Sequence, residues 1–258
     1  MKTAIVTGAS SGIGASVALR LLGDGYRVAC VGRSRARMEA AVTPSPELCF
    51  VEADLASPEG CTAAISAALS ALGSDRLDVL VNNAGAGKIS QHLGVGFSVA
   101  AFDEVFAINV RTPFMLIHAA VDALVNARGV IVNMSSVAAV RPFAGMIPYC
   151  SAKAAVDMLT QGAALELAPR GVRCVGIAPG TIKTHFHENA GMSADTAEAY
   201  YCASAATHPI GRVGTADDIA AAVSFLVDPR SSFITGATLL IDGGRLLTSS
   251  TAPQLTSK

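Results

Sequence analysis

The sequence of 258 residues predicts an α/β fold built on one doubly wound, parallel sheet of about seven strands with helices on both faces. Three observations carry this. Short apolar, β-branched runs alternate with longer Ala- and Leu-rich segments over most of the chain, the pattern of repeated strand–helix units. A glycine-rich turn, Gly8-Ala-Ser10-Ser11-Gly12-Ile13-Gly14, falls between the first strand and the first helix. No linker, low-complexity stretch or internal repeat divides the chain, so residues 1–258 read as one domain of the Rossmann type.

Taken in order, Thr3–Thr7 reads as a buried strand and residues 15–22 as the helix after the glycines. Arg27–Gly32 and Leu48–Glu52 are the next strands, and Pro58–Leu72 is an Ala-rich helix. A fourth strand, residues 79–85, runs into Asn82-Asn83-Ala84-Gly85. Residues 85–99 are glycine-rich and weakly patterned. Two helices follow at 99–107 and 110–126, the second with Phe114, Ile117, Val121 and Leu124 on an apolar stripe and Asn109 between the two. A fifth strand spans 129–134 and ends at Ser135-Ser136. Residues 149–167 lack an internal Pro and are rich in Ala and Leu, which predicts a helix. A sixth strand at 172–177 closes at Pro179-Gly180. Residues 185–212 read as irregular with short helical patches, 216–226 as a helix, Thr238–Ile241 as the last strand, and 245–258 as a small, polar tail.

Composition narrows the class. At 51% hydrophobic and 15% charged, the chain predicts a substantial core and argues against disorder. The net charge is −1 with both signs mixed along the chain, which speaks against nucleic acid and against an anionic membrane surface as partners. No apolar run reaches the length of a bilayer span, and a strand begins at once after Met1-Lys2, leaving no room for a secretory leader. The 6 cysteines form no C-x-x-C pair, so reduced thiols and a cytoplasmic location are expected. Asn133-Met134-Ser135 matches a glycosylation sequon but lies inside a strand pattern, and the Ser257-Lys258 end lacks the Leu of a peroxisomal address.

The chemistry-bearing residues gather where an open parallel sheet binds its ligand, beyond the carboxyl ends of the strands. Glycines at 8, 12 and 14 permit close backbone approach, and a helix N-terminus behind them offers free N–H groups to a pyrophosphate. No acid lies between Asp24 and Glu39 to hold an adenosine ribose; Arg33 follows the second strand instead and suits a phosphate, which favours NADP over NAD. Tyr149 and Lys153, four apart on a predicted helix, share a face. A cation there would favour the phenolate and lower a pKa that is ordinarily about 10. His185 and His187 form a His-x-His pair, but no Cys or acid cluster completes a metal site, so none is expected.

With Thr7-Gly8-x-x-x-Gly12-Ile13-Gly14, Asn82-Asn83-Ala84-Gly85, Asn109, Ser136, Tyr149-x-x-x-Lys153 and Pro179-Gly180 in this order, the chain resembles the short-chain dehydrogenase/reductase family from Thr3 to Gly244. The resemblance implies that Tyr149 is the general acid for a carbonyl oxygen and Ser136 a second donor to it. It implies that Lys153 tunes Tyr149 and binds the nicotinamide ribose, and that Asn109 holds a relay water. For the cofactor it implies Gly8, Ser10, Ser11, Gly12, Ile13 and Gly14 at the pyrophosphate, with Arg33, Asp54 and Leu55 on the adenosine side. Asn82, Ala84 and Gly85 would follow, and then Pro179, Gly180, Ile182 and Thr184 toward the carboxamide. It also implies a substrate lid at about 184–212 and a homotetramer or dimer. Two positions depart from the family pattern: Val175 stands where Asn is usual, and Gly162 interrupts the Tyr149 helix.

The expected activity is hydride transfer between NADP(H) and a carbonyl or secondary alcohol, with NAD the alternative cofactor. Val140, Phe143, Met146 and Ile147, with Phe186, Met192, Tyr200 and Tyr201 of the lid, suggest a largely apolar small-molecule substrate. An NAD-dependent alcohol dehydrogenase and a catalytically weak dinucleotide sensor or scaffold are the competing readings.

Overall fold

The structure, a computed structural model, describes residues 1–89, 93 and 98–248. Its strands are β1 (Thr3–Thr7), β2 (Arg27–Gly32), β3 (Leu48–Glu52), β4 (Val79–Asn82), β5 (Val130–Met134), β6 (Arg173–Pro179) and β7 (Thr238–Ile241). Between them lie α1 (Gly12–Gly23), α2 (Arg35–Ala41), α3 (Pro58–Leu72), α4 (Val99–Phe106), α5 (Thr112–Ala127), α6 (Ile147–Leu167), α7 (Phe186–Asn189), α8 (Ala194–Ala205) and α9 (Ala216–Val227). The seven strands form one sheet in the order β3-β2-β1-β4-β5-β6-β7, every pair parallel. The order reverses between β1 and β4, which opens a crevice at their carboxyl ends.

Parallel strands are covered on both faces, so they need near-continuous apolar sequence. All five residues of β1 and of β5 are buried. One face packs Val17 and Leu21 of α1 with Ile219 and Val223 of α9. The other packs Ile65 and Leu72 of α3 with Leu116 and Leu124 of α5 and Leu167 of α6. Local signals set the helix ends. Ser57 caps the Gly60 amide ahead of Pro58, and Gly73 closes α3 at φ +60°. Thr215 and Asp218 form a capping box on α9.

Some elements differ from the sequence expectation. Helix α2 buries Met38 alone, so it carries no apolar stripe to read. Helix α8 runs 12 residues through a segment that reads as irregular, because its small Ala residues give little periodicity. The helices around Asn109 are joined rather than broken: a π-turn, Ala107–Arg111, links α4 to α5. The resulting Val99–Ala127 helix is long and apolar enough to cross a membrane by length and composition, yet Leu116, Ile117, Ala120 and Leu124 pack on the sheet. Phe114 departs from that stripe and is 56% exposed. The tail begins later than predicted, since Arg245–Leu247 is a 3-10 turn with Arg245 buried. Most of the glycine-rich stretch after Lys88, and residues 249–258, lie outside the described residues.

Candidate active site

The glycine turn is set by the residues around it. Gly8 and Gly12 have φ of +68° and +53°, conformations that an L side chain rarely adopts. A Cβ on Gly14 would sit 2.3 Å from the Gly8 carbonyl oxygen, so α1 can approach β1 only with glycine there. Thr7 and Asn83, which the sequence reading left without a role, hold this turn to β4. The Thr7 hydroxyl accepts from the Asn83 and Ala84 amides at 3.0 and 3.1 Å, and Asn83 Nδ2 donates to the Thr7 carbonyl at 2.9 Å. Ser11 makes no side-chain cap on α1, whereas Ser34, Ser57, Ser98, Ser193 and Thr215 cap their helices. The α1 N-terminus is therefore left open toward an anion. Ser10, Ser11, Gly12 and Ile13 are half-buried at this mouth, and a Cβ on Gly12 would lie 3.1 Å from Thr184 Cγ2 across it.

The adenosine-side candidates stand apart, at the carboxyl ends of β2 and β3. Arg33 is exposed, with no hydrogen-bond or ion-pair partner among the described residues. Asp54 is exposed and accepts from the Ala56 amide at 3.0 Å. Leu55 is buried, its carbonyl taking the Thr112 hydroxyl at 2.6 Å. On the other side, buried Pro179 ends β6, and a Cβ on Gly180 would lie 2.9 Å from Asp242 Cα. The Thr181–Thr184 strip is then pinned by Gly214, through Gly214 N to the Thr181 carbonyl and Lys183 N to the Gly214 carbonyl, both 2.9 Å. Ile182 is buried and Thr184 half-buried in this strip.

Ser136, Tyr149, Lys153 and Asn109 are brought together at the carboxyl edge. Tyr149 and Lys153 share the inner face of α6, with Lys153 Nζ 5.6 Å from the Tyr149 ring centroid. Lys153 Nζ donates to the Met134 carbonyl at the end of β5, at 2.7 Å. The π-turn explains Asn109. Within it, Asn109 Nδ2 donates to the Val105 carbonyl at 2.8 Å and to the Ala86 carbonyl at 2.7 Å. Asn109 Oδ1 is then aimed inward, buried and without a partner among the described residues. A Cβ on Gly85 would lie 2.8 Å from that oxygen and 3.6 Å from Lys153 Nζ, so Gly85 marks where the two converge.

Charge at the site departs from one expectation. The Lys153 ammonium was expected to lower the Tyr149 phenol. Instead burial pushes Tyr149 up to about 12, against a hydrogen bond from Ser136 that acts to lower it. Desolvation falls on Lys153 too, pulled down to about 8, with Asp157 opposing. Both groups are enclosed, and burial is the largest cause acting on each.

Aromatic side chains surround the phenol. Phe143, Met146 and Phe186 pack on the cluster that holds Tyr149, and the Phe186 ring lies 5.4 Å from the Tyr149 ring. His187 Nδ1 meets the Tyr201 hydroxyl at 2.9 Å, and that hydroxyl donates to the Thr184 carbonyl at 2.5 Å. Burial, with the Arg245 charge, brings His187 down to about 4. His185 turns instead to Glu188, at 3.5 Å. Among the described residues no group of three or more His, Cys, Asp or Glu could hold a metal ion.

A parallel sheet with an anion-ready turn at its switch point, and an enclosed phenol and amine beside it, defines a nucleotide-dependent oxidoreductase. The comparisons narrow this. The profile of the family described as enoyl-(acyl carrier protein) reductase matches residues 8–245. The 2-(S)-hydroxypropyl-CoM dehydrogenase 3 of Xanthobacter autotrophicus is 36% identical, over 93% of this chain and 94% of that protein. The L-xylulose reductase of Mesocricetus auratus is 34% identical, over 96% and 97%. Among solved structures, the 3-ketoacyl-(acyl-carrier-protein) reductase from Brucella melitensis, complexed with NADH, superposes with a TM-score of 0.85 at 32% identity, over 95% of this chain and 98% of that one. ElxO with NADP bound matches with a TM-score of 0.85 at 32% identity, over 96% and 99%. The chain belongs to the short-chain dehydrogenase/reductase family. It is an NAD(P)-dependent oxidoreductase acting on CH–OH and C=O groups.

Proposed function

We propose that this protein reduces a ketone at the expense of NADPH, with Tyr149 as proton donor, on a substrate flanked by apolar groups. The observation that carries this is the convergence of Ser136, Tyr149, Lys153 and the inward Asn109 Oδ1 beside the glycine turn. The site fits a dinucleotide: the α1 N-terminus is uncapped, and glycines stand where a Cβ would fill the cradle. Gly8 to Gly14 would take the pyrophosphate, Asp54, Leu55, Asn82, Ala84 and Gly85 the adenosine side and its ribose, and Pro179, Gly180, Ile182 and Thr184 the carboxamide. When bound, the nicotinamide supplies the hydride.

The chain's own residues do the rest. Negative charge develops on the substrate oxygen as the carbonyl is reduced, and the Ser136 and Tyr149 hydroxyls donate to it. Burial keeps Tyr149 protonated at neutral pH, the form an acid needs in the reducing direction. Lys153 carries its charge at neutral pH and returns a proton toward Tyr149; Asn109 Oδ1 holds a water that connects Lys153 to solvent. Phe143, Met146 and Phe186 exclude water from around the phenol.

Arg33 supports NADP, since an exposed, unpaired guanidinium beyond β2 suits a phosphate. NAD is the second reading, favoured by the NADH-bound relative. The exposed Phe114, Met158 and Leu165 of α5 and α6 support a homotetramer or dimer, and the six free cysteines support a cytoplasmic location. The test is NADPH oxidation with a panel of ketones. Turnover by the wild type and its loss in Tyr149→Phe is the expected result; a fully active variant sinks the mechanism. Arg33→Asp should weaken NADPH and spare NADH, and equal effects on the two would favour the NAD reading.

A further inference from the structure

Arg245 is 3% exposed, a buried cation on the turn after β7. One donor, Nη1, is spent on the Thr181 hydroxyl, and the guanidinium lies over the Phe143 ring, 5.2 Å from its centroid. A hydroxyl and a ring do not balance a full charge withdrawn from water. Every one of the chain's 20 Asp and Glu residues is among the described residues, and none pairs with Arg245. Asp242, three residues back, is committed to the Gly244 and Leu246 amides, at 2.9 Å each. The Arg245 Nε and Nη2 groups have no partner among the described residues and keep the residue's small remaining exposure.

The surroundings point the same way. Phe143 packs on the buried cluster that includes Tyr149, so Arg245 lies over a ring at the edge of that cluster. The Arg245 charge reaches His187 of the lid and His208 behind Thr181, acting to keep both neutral. Arg141 adds a second guanidinium, tethered to the Arg245 carbonyl at 3.4 Å and the Thr248 carbonyl at 3.1 Å. An enclosed, cationic corner beside apolar residues has no counter-charge among the described residues.

We infer that Arg245 forms an anion-binding subsite at the far end of the substrate cleft, so that the ketone carries a carboxylate, sulfonate or phosphate remote from its carbonyl. The inference rests on the reductase reading and sharpens it: the apolar flank is the spacer between the carbonyl and the anion. Arg rather than Lys suits the role, because its planar fork can meet an oxyacid with two donors while a third stays on Thr181.

The experiment compares straight-chain methyl ketones of one length ending in a carboxylate, a sulfonate, a phosphate monoester or a neutral amide. Wild type should prefer the best anionic ketone over the amide by about tenfold to hundredfold in kcat/KM, chiefly through KM, since truncating one member of an enclosed charge pair costs on that order. Arg245→Met should erase the preference and Arg245→Lys keep part of it; which acid wins identifies the group. The same ratio in wild type and Arg245→Met overturns the proposal. So does a loss of NADPH affinity in Arg245→Met with the ratio unchanged, which would assign Arg245 to the cofactor. Calorimetric titration of the NADP-loaded protein with hexanoate and with hexanamide separates the two readings. If no ketone turns over, the reductase reading fails while Arg245-dependent hexanoate binding keeps the subsite. Equal binding of the two probes removes the subsite whether or not ketones react.

Discussion

At the scale of single residues, the proposed reaction turns on a phenol and an amine that burial has moved in opposite directions. Replacing Tyr149 with Phe removes the proton donor and leaves the shape of the site, so kcat should fall about 10²- to 10⁴-fold while NADPH binding, followed by fluorescence, persists. Burial pulls Lys153 down to about 8, and the proposed mechanism uses it as the cation. The rate of reduction should therefore be flat below that pH and fall above it, and the falling limb should vanish in the residual activity of Lys153→Met. His187 gives a stability counterpart. Its pKa is lowered from 6.5 to about 4 on folding, so the unfolded chain binds the extra proton first as pH drops. The stability it contributes is present above about 6.5 and is lost as pH falls toward 4. Melting temperatures across that window should drop more steeply for wild type than for His187→Gln. The roles proposed for Tyr149, Lys153, Ser136 and Asn109 were legible because each sits in a motif of fixed spacing. Arg245 was not legible: one Arg in a small, polar tail carries no period, and its burial comes from β7 delivering it under Phe143.

At the scale of elements, α6 carries both the catalytic face and a flaw. Gly162 is exposed, and a Cβ there would meet nothing within 4 Å. Gly162→Ala should then stabilise the helix by about 1 kcal/mol, read as a melting temperature higher by about 2–4 °C. A fall instead would mean that another copy packs against that turn. Strands and long helices could be read from the sequence because their burial imposes a period. Helices α2 and α8 could not, since short, alanine-rich or charged helices bury too few side chains to show one. The π-turn was equally silent, as it depends on where Asn109 Nδ2 finds carbonyls and not on composition.

At the scale of the whole molecule, the sheet divides the labour. Strands β1 to β4 present the glycine turn, Arg33, Asp54 and the Asn82–Gly85 run, while β5 to β7 lead into Ser136, the Thr181–Thr184 strip and Arg245. Phe114, Met158 and Leu165 are exposed on α5 and α6, the surface proposed to pack between copies of the chain. Light scattering should report two or four chains per particle, and Phe114→Glu should shift that toward one.

Deep between these halves runs a buried amide chain. Asn82 Nδ2 donates to Asn133 Oδ1 at 2.8 Å, and Asn133 Nδ2 to the Thr160 hydroxyl at 2.9 Å. Thr160 lies on α6 about three turns beyond Tyr149. A rotation or slip of α6 would strand the Asn133 amide in the core, at a cost of about 1–3 kcal/mol. The helix is thus indexed against the sheet from its far end, like a key cut away from the lock face. Mutations that remodel the aromatic cleft can accumulate without misaligning Tyr149, which leaves the substrate pocket free to drift in evolution while the chemistry stays in register.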